Sequence, residues 1–328
     1  MLANPYLLSE STGMTNASPT DVLSDVFDQV EVHGMVTGGF AVRGPWASAG
    51  TVSRPLKLIA LVAGTATVSS DGPGGPDGPF ELVPGDVVLL NHRTRLDVRG
   101  GHGDGPPKNL IPEVGFDSMA LAAADLSTDD VLVGGYIQVS PAGLALLGAA
   151  LPGLVHVQAA NPSASRLGAL VWRLFDEASS QRLGSAFAMR QNSQLLLLEV
   201  IRAYLEQEEH PAGWLRLLAD PPLAPALRLI HEQPGRPWGL AELASASSMS
   251  RTSFAERFRA VAGTPPLAYL SSWRMVLAQR ALRDPDIRVG TIAANLGYSS
   301  DSAFSNAFKR EMGESPLRFR RRIHPPRV

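Results

Sequence analysis

Cysteine is absent from this chain of 328 residues. That absence excludes disulfide staples, thiolate metal sites, thiol redox sensing and cysteine nucleophiles, and leaves His, Asp, Glu and Ser as the residues able to do chemistry. A long apolar span is lacking too. Val131 to Ser165 holds no Asp, Glu, Lys or Arg, but Pro141, Pro152 and several glycines interrupt it. Its longest helical piece, Ala142 to Leu151, is about half the roughly twenty residues that a membrane crossing requires. The stretch reads as buried core, and no membrane partner is expected. The N-terminus lacks the basic start and apolar core of a secretory signal, so a reducing cytoplasm is the expected compartment.

What is present is an ordinary globular composition, 45% apolar, enough for two or three domains with real cores. The net charge of −2 hides a polarity. Residues 222–328 carry 16 Lys and Arg against 8 Asp and Glu, whereas residues 1–221 carry 13 against 23. A basic module tethered to an acidic one suits a chain whose C-terminal part meets phosphates.

Residues 1–19 show no periodicity and are expected to be a frayed tail. Asp21 to Val32 places Val22, Val26 and Val30 on one helical stripe with Leu23 and Phe27. From there to about residue 140 the texture is short β-type runs broken by Gly and Pro: LKLIALVAGTATVSS, FELVPGDVVLLN, RLDVRG and VLVGGYIQV. Such spacing predicts a small sandwich or barrel. DGPGGPDGP at 71–79 and Pro84-Gly85-Asp86 read as tight turns. After residue 150 the periodicity turns helical, over Ser165 to Ser179 and Ser185 to Gln207. The second helix contains LLLLEVI, apolar almost all round, which must be buried against something. A subunit seam is the favoured reading, packing within the chain the other.

The C-terminal part is written twice. Leu243-Ala244, Ser250, Phe254, Phe258, Gly263, Pro266 and Tyr269 recur as Ile292-Ala293, Ser300, Phe304, Phe308, Gly313, Pro316 and Phe319, offset by 49 at the first pair and 50 at the later ones. One residue has been inserted in one turn. Each copy reads as a short apolar helix, a tight turn, a Ser cap and a longer helix with Phe residues four apart on one face. Phe254 and Phe258, like Phe304 and Phe308, should point inward onto Leu243 and Ile292. The opposite face of each second helix is free to enter a major groove: Arg251, Thr252, Ala255, Glu256 and Arg259 in the first copy, and Asp301, Ser302, Ser305, Asn306 and Lys309 in the second, with Arg310 as a flanking phosphate contact. Between the copies, Pro266 to Leu282 is expected as one helix carrying Trp273, which holds the two readers apart.

This region resembles the AraC/XylS-type transcription regulators through Trp273-Arg274-Met275, Ala278, Leu282, Ile292-Ala293, Gly297-Tyr298, Ser300, Ser302, Phe304, Ala307-Phe308-Lys309-Arg310, Gly313, Pro316 and Phe319-Arg320. The resemblance implies sequence-specific binding to double-stranded DNA, with RNA polymerase as a partner and a homodimer as the assembly. Many relatives have Arg where this chain has Glu256 and Asn306. Glu can accept from cytosine N4 and Asn can pair with adenine, so an altered sequence preference follows. Upstream, DVLSDVF, Gly44-Pro45-Trp46, Leu82 to Leu90, Gly134-Gly135-Tyr136 and Leu151-Pro152 are similar to the cupin-type ligand domain of one branch of that family, which implies a small-molecule effector. The expected fold class is α+β: a tail at 1–19, a cupin-like β-sandwich or barrel at 20–155, a helical connector at 156–220 as a candidate for dimerisation, and an all-α domain at 221–328. The two helix-turn-helix motifs of that domain fall at about 239–261 and 289–312.

Cupin enzymes bind metal through an H-x-H pair with a nearby Glu and a later His. His33, His92 and His102 are isolated here, so neither a metal nor another cofactor is expected. Trp46, Asn91 and His92 are the candidates for lining an effector pocket. The alternative reading is a metal-dependent cupin-fold enzyme with an appended helical domain.

Overall fold

The computed structural model describes residues 21–30, 34–72, 77–103, 105–110, 121–159, 164–180, 182–207 and 214–324. The expected tail and His33 lie outside the described residues. Helix α1 (Val22–Val30) precedes eight strands, β1 (Gly34–Val42), β2 (Trp46–Thr51), β3 (Leu56–Ala63), β4 (Ala66–Ser70), β5 (Asp77–Leu82), β6 (Val87–Asn91), β7 (Arg95–Gly100) and β8 (Lys108–Leu110). Strand β9 (Asp130–Gln138), helix α2 (Pro141–Ala150) and strand β10 (Leu154–Val157) complete the β-rich half. Two five-stranded sheets form, ordered β1-β9-β3-β6-β10 and β5-β4-β7-β2-β8.

The two sheets differ in pattern because they differ in surroundings. β3 and β6 are buried at every position. Ile59, Leu61, Val88 and Leu90 face the second sheet, while Leu58, Ala60, Val87 and Leu89 face helices on the other side. A strand covered on both faces reads as a continuous apolar run. In β4, by contrast, buried Ala66, Val68 and Ser70 alternate with half-buried Thr67 and Ser69, as one open face requires. Strands β1, β2, β8 and β10 have no counterpart among the sequence runs. β1 pairs with β9 along its whole length, from Gly34 opposite Gln138 to Val42 opposite Asp130, so distant partners stabilise a segment with three glycines.

Helices α3 (Ala164–Ser180) and α4 (Ser185–Gln207) form a hairpin on the outer face of the first sheet, with α4 against β1 and β10 and α3 against β3 and β9. This corrects the favoured seam for LLLLEVI. Leu196, Leu197, Val200 and Ile201 are within 1% of full burial inside the chain, and only Leu195 of the run is exposed. Covering the outer face of a two-sided sheet accounts for the run without a partner. The charge-free stretch becomes β9, α2 and β10. Among the described residues no helix is long and apolar enough to cross a membrane.

The C-terminal half contains α5 (Leu215–Leu218), α6 (Ala224–Glu232), α7 (Leu240–Ala246), α8 (Arg251–Ala262), α9 (Pro266–Ala281), α10 (Val289–Asn295), α11 (Asp301–Met312) and α12 (Pro316–Ile323). One apolar core runs without a break from α1 and the outer face of the first sheet through the hairpin to Leu243, Phe254, Phe258 and Trp273. The second motif has its own core, built on Met275, Ala278, Leu282, Ile292, Phe304, Phe308 and Phe319. Helix α9 serves both, one face to each.

Candidate nucleic-acid interface

Both motifs are built from the same local devices. Ser250 accepts a hydrogen bond from the Ser253 amide at 3.1 Å, and Ser300 accepts one from the Ala303 amide at 3.1 Å, capping α8 and α11. Each helix ends on a left-handed glycine, Gly263 at φ 72° and Gly313 at φ 75°. Pro266 and Pro316 then open the next helix. Inside, Phe254, Phe258, Phe304 and Phe308 are fully buried, and the aromatic chain Phe254–Phe258–Tyr269 repeats as Phe304–Phe308–Phe319 with ring centroids 5.5–5.8 Å apart.

The inserted residue can be placed. The Met249 amide donates to the Ala244 carbonyl and the Tyr298 amide to the Ala293 carbonyl, both at 2.9 Å, so the offset of 49 persists through those residues. Ser248 at φ 53° and Gly297 at φ 76° are likewise matched. The offset becomes 50 at the Ser caps, and Ser299 is therefore the added residue. Gly297 is required twice over. Its φ favours glycine, and a Cβ there would lie 2.1 Å from the Gly235 carbonyl oxygen. Arg274 closes the same junction by donating to the carbonyls of Pro234 at 2.6 Å and Arg236 at 2.8 Å. The segment leading into the first motif is thereby fixed to the turn of the second.

The capped faces leave the expected readers outward. Arg251, Thr252, Glu256, Arg259, Asp301, Ser302, Asn306, Lys309 and Arg310 are exposed, and Ala255 and Ser305 are half-buried. Arg251, Arg259 and Lys309 enter no ion pair among the described residues, so their charges are available to phosphate or base edges. The Asp301 carboxylate sits over Gly290 at the start of α10, within 2.9 Å of where a Cβ would stand. The second reader thus opens on an acid turned toward its own motif.

The pocket candidates are not brought together. Trp46 and Asn91 lie at opposite ends of β3: the Trp46 indole donates at 2.7 Å to Asp130, next to Ala63, whereas Asn91 pairs with Leu56. Trp46 is 1% exposed and covers Gly100. Asn91 donates to the carbonyls of Gly148 at 3.2 Å and Leu151 at 2.8 Å, satisfying the end of α2. His92 is exposed beside them at φ 53°. The space between the sheets is filled by Trp46, Ile59, Leu61, Val68, Leu82, Val88, Leu90 and Val98. Among the described residues no group of three His, Asp or Glu side chains could hold a metal ion.

Two contacts that no sequence motif announces join the halves. Trp214 donates to the Leu146 carbonyl of α2 at 3.0 Å, and Arg280 of α9 donates to the Asp28 carbonyl of α1 at 3.1 Å. Beside the second contact, His231 is wholly buried between Trp273, with ring centroids 4.3 Å apart, and the Tyr269 hydroxyl at 2.9 Å. Burial pushes the imidazolium down from 6.5 to about 3. At 3.9 Å from Asp25, a neutral ring makes no ion pair with it. The folded chain holds His231 neutral, while the unfolded chain protonates it below its ordinary value. Its contribution to stability is complete above that value and is lost as pH falls toward about 3, by about 2 kcal/mol at pH 5. Urea unfolding of His231→Gln at pH 7 and pH 5 should show a difference smaller than that of the parent by this amount. An equal difference in both would place the titration elsewhere.

The Cupin family matches residues 21–206, and the Helix-turn-helix domain family matches residues 243–322. A Streptomyces lividans protein whose name describes it as an AraC-like transcription regulator is 32% identical over 306 residues, covering 93% of this chain and 99% of that protein. The HTH-type transcriptional regulator AlkR of Acinetobacter baylyi is 35% identical over 310 residues, covering 92% and 99%. The DNA-binding domain of AdpA, solved with a target DNA, is 31% identical, covers 33% of this chain and 100% of that domain, and has a TM-score of 0.30. With its two capped helix-turn-helix motifs behind a cupin-type sandwich, the chain belongs to the AraC/XylS-type transcription regulators, DNA-binding proteins and not enzymes.

Proposed function

We propose that each subunit lays α8 and α11 in successive major grooves on one side of operator DNA, about 34 Å apart. The observation that carries this reading is the pair of exposed, Ser-capped helix faces held in a common frame by α9 and by the Gly235–Gly297 junction. Base edges are read by Arg251, Thr252, Ala255, Glu256 and Arg259 in one half of the site, and by Ser302, Ser305 and Asn306 in the other. Lys309 and Arg310 rest on phosphates. The domain limits read from the sequence, 20–155, 156–220 and 221–328, divide the chain into ligand, connecting and DNA-reading parts. The protein acts in the bacterial cytoplasm as a homodimer, with RNA polymerase as partner and a small molecule as effector. Trp172 of α3 and Phe187 of α4, large apolar side chains left exposed, support pairing with a second copy through the hairpin.

The test is binding of the full chain to duplexes selected from a random library, measured against unselected duplex across a salt series. Selected duplex should bind tighter at every salt, with log affinity falling linearly as log salt rises and a slope reflecting several neutralised phosphates. Substituting Lys309 should weaken all sequences alike and reduce the slope by about one. Equal affinity for selected and unselected duplex would sink the reading. Footprints at two protein concentrations report the half-site spacing and the active oligomer.

A further inference from the structure

Among the positions outside the groove-facing sets at which the two copies of the motif differ, one reaches beyond the motif. Arg257 of α8 stands where α11 has Ala307, which is 7% exposed within the second motif's own core. The Arg257 guanidinium forks onto Asp220, with Nε 3.1 Å from both carboxylate oxygens and Nη2 3.0 Å from one of them. Asp220 is 9% exposed and also accepts from the Leu223 amide at 3.2 Å, so its position is set from its own side of the contact. It closes α5, whose Leu215 and Leu217 are fully buried and which packs on α8. Just before α5, Trp214 is bonded to α2 of the sandwich half. The fork is therefore an addition to the duplicated fold, made only where the first reader meets the connector. The apolar core follows the same division, continuous from the sandwich half to the first motif and separate for the second.

We infer that Arg257 is a positioning residue for the first reader: gripping Asp220, it ties the orientation of α8 to the connector, so the regulatory half acts directly on one half of the operator. Among the described residues, the second half is reached through α9 and the Gly235–Gly297 junction. The inference rests on the DNA-reading assignment above. A planar fork with both carboxylate oxygens engaged fixes angle as well as distance, which a lysine or a single hydrogen bond would not do.

The experiment uses the full-length chain and a duplex selected by it from a random library, with every base pair substituted in turn and affinity read by fluorescence anisotropy. Arg251→Ala marks the half read by α8. Arg257→Ala and Asp220→Asn are each expected to reduce base discrimination in that half by about five- to tenfold, the range of a well-formed but partly exposed charged fork. Discrimination in the other half should stay unchanged, which also reports that the variant is folded. The double variant should be no worse than either single one, because both remove the same contact. Equal losses in the two halves, additive losses in the double variant, or a salt slope lowered by about one in Arg257→Ala would overturn the inference, the last by making Arg257 a phosphate contact. Absence of base discrimination in the parent chain would instead overturn the DNA-reading assignment itself.

Discussion

Truncating Phe304 to Ala is expected to remove roughly 3–5 kcal/mol from the second motif, the cost of a large buried aromatic and the cavity it leaves. Phe304 is fully buried and meets the Tyr298 ring edge-on at 5.5 Å and the Phe308 ring at a tilt at 5.8 Å. Its core is small and shared with no strand of the sandwich. The loss should therefore appear as early melting of α10 to α12, with the remainder of the chain unfolding at its former urea concentration. Phe254→Ala in the first motif has the same intrinsic cost, but its core continues into the α3–α4 hairpin and the first sheet. That loss should shift the main transition instead. Segment-resolved hydrogen exchange in urea separates the outcomes. If both variants lower one common transition equally, the two cores act as a single cooperative unit.

The second large effect is expected from Trp46→Phe. The Trp46 indole nitrogen donates at 2.7 Å to Asp130, which is 5% exposed and has the Thr65 amide at 3.0 Å on its other oxygen. Phe keeps most of the ring that packs on Phe40 at 5.0 Å but deletes the donor. A buried carboxylate left with an unsatisfied oxygen costs roughly 2–4 kcal/mol, more than the lost packing area. Asp130→Asn leaves one of the two N–H donors facing an amide NH2 in the parent, whereas in the Trp46→Phe background the amide oxygen still accepts from Thr65, so it should cost less there than in the parent. Urea unfolding of the four chains forms a double-mutant cycle. A coupling energy near zero would show that Trp46 contributes through packing alone.

Much of the DNA-reading half was legible without coordinates because its signals are local. A Ser three residues before the amide it caps, Phe residues four apart, a glycine ending each long helix and a proline opening the next are all set by helix geometry. The duplication doubled every one of them. The sandwich was legible only in part. β3, β6 and β9 announce themselves as apolar runs, whereas β1, with three glycines, exists because β9 lies nearly a hundred residues away to pair with it. In LLLLEVI an all-round apolar helix says that it is covered, not by what, and so leaves a seam and packing within the chain both open. The pocket residues fared similarly. Trp46, Asn91 and His92 are near turns in the sequence, but the length of β3 separates the first from the other two.

By itself the sequence determined the family, the two helix-turn-helix motifs, their scaffold and the outward faces of their second helices, since each follows from periods and caps within about twenty residues. Only the tertiary structure decided which motif is joined to which half of the molecule. The Asp220–Arg257 fork, the Gly235–Gly297 contact and the burial of His231 against α1 bring together groups from 37 to some two hundred residues apart. No local pattern encodes such pairings. They arise when apolar faces close on one another and the polar groups carried along must find partners.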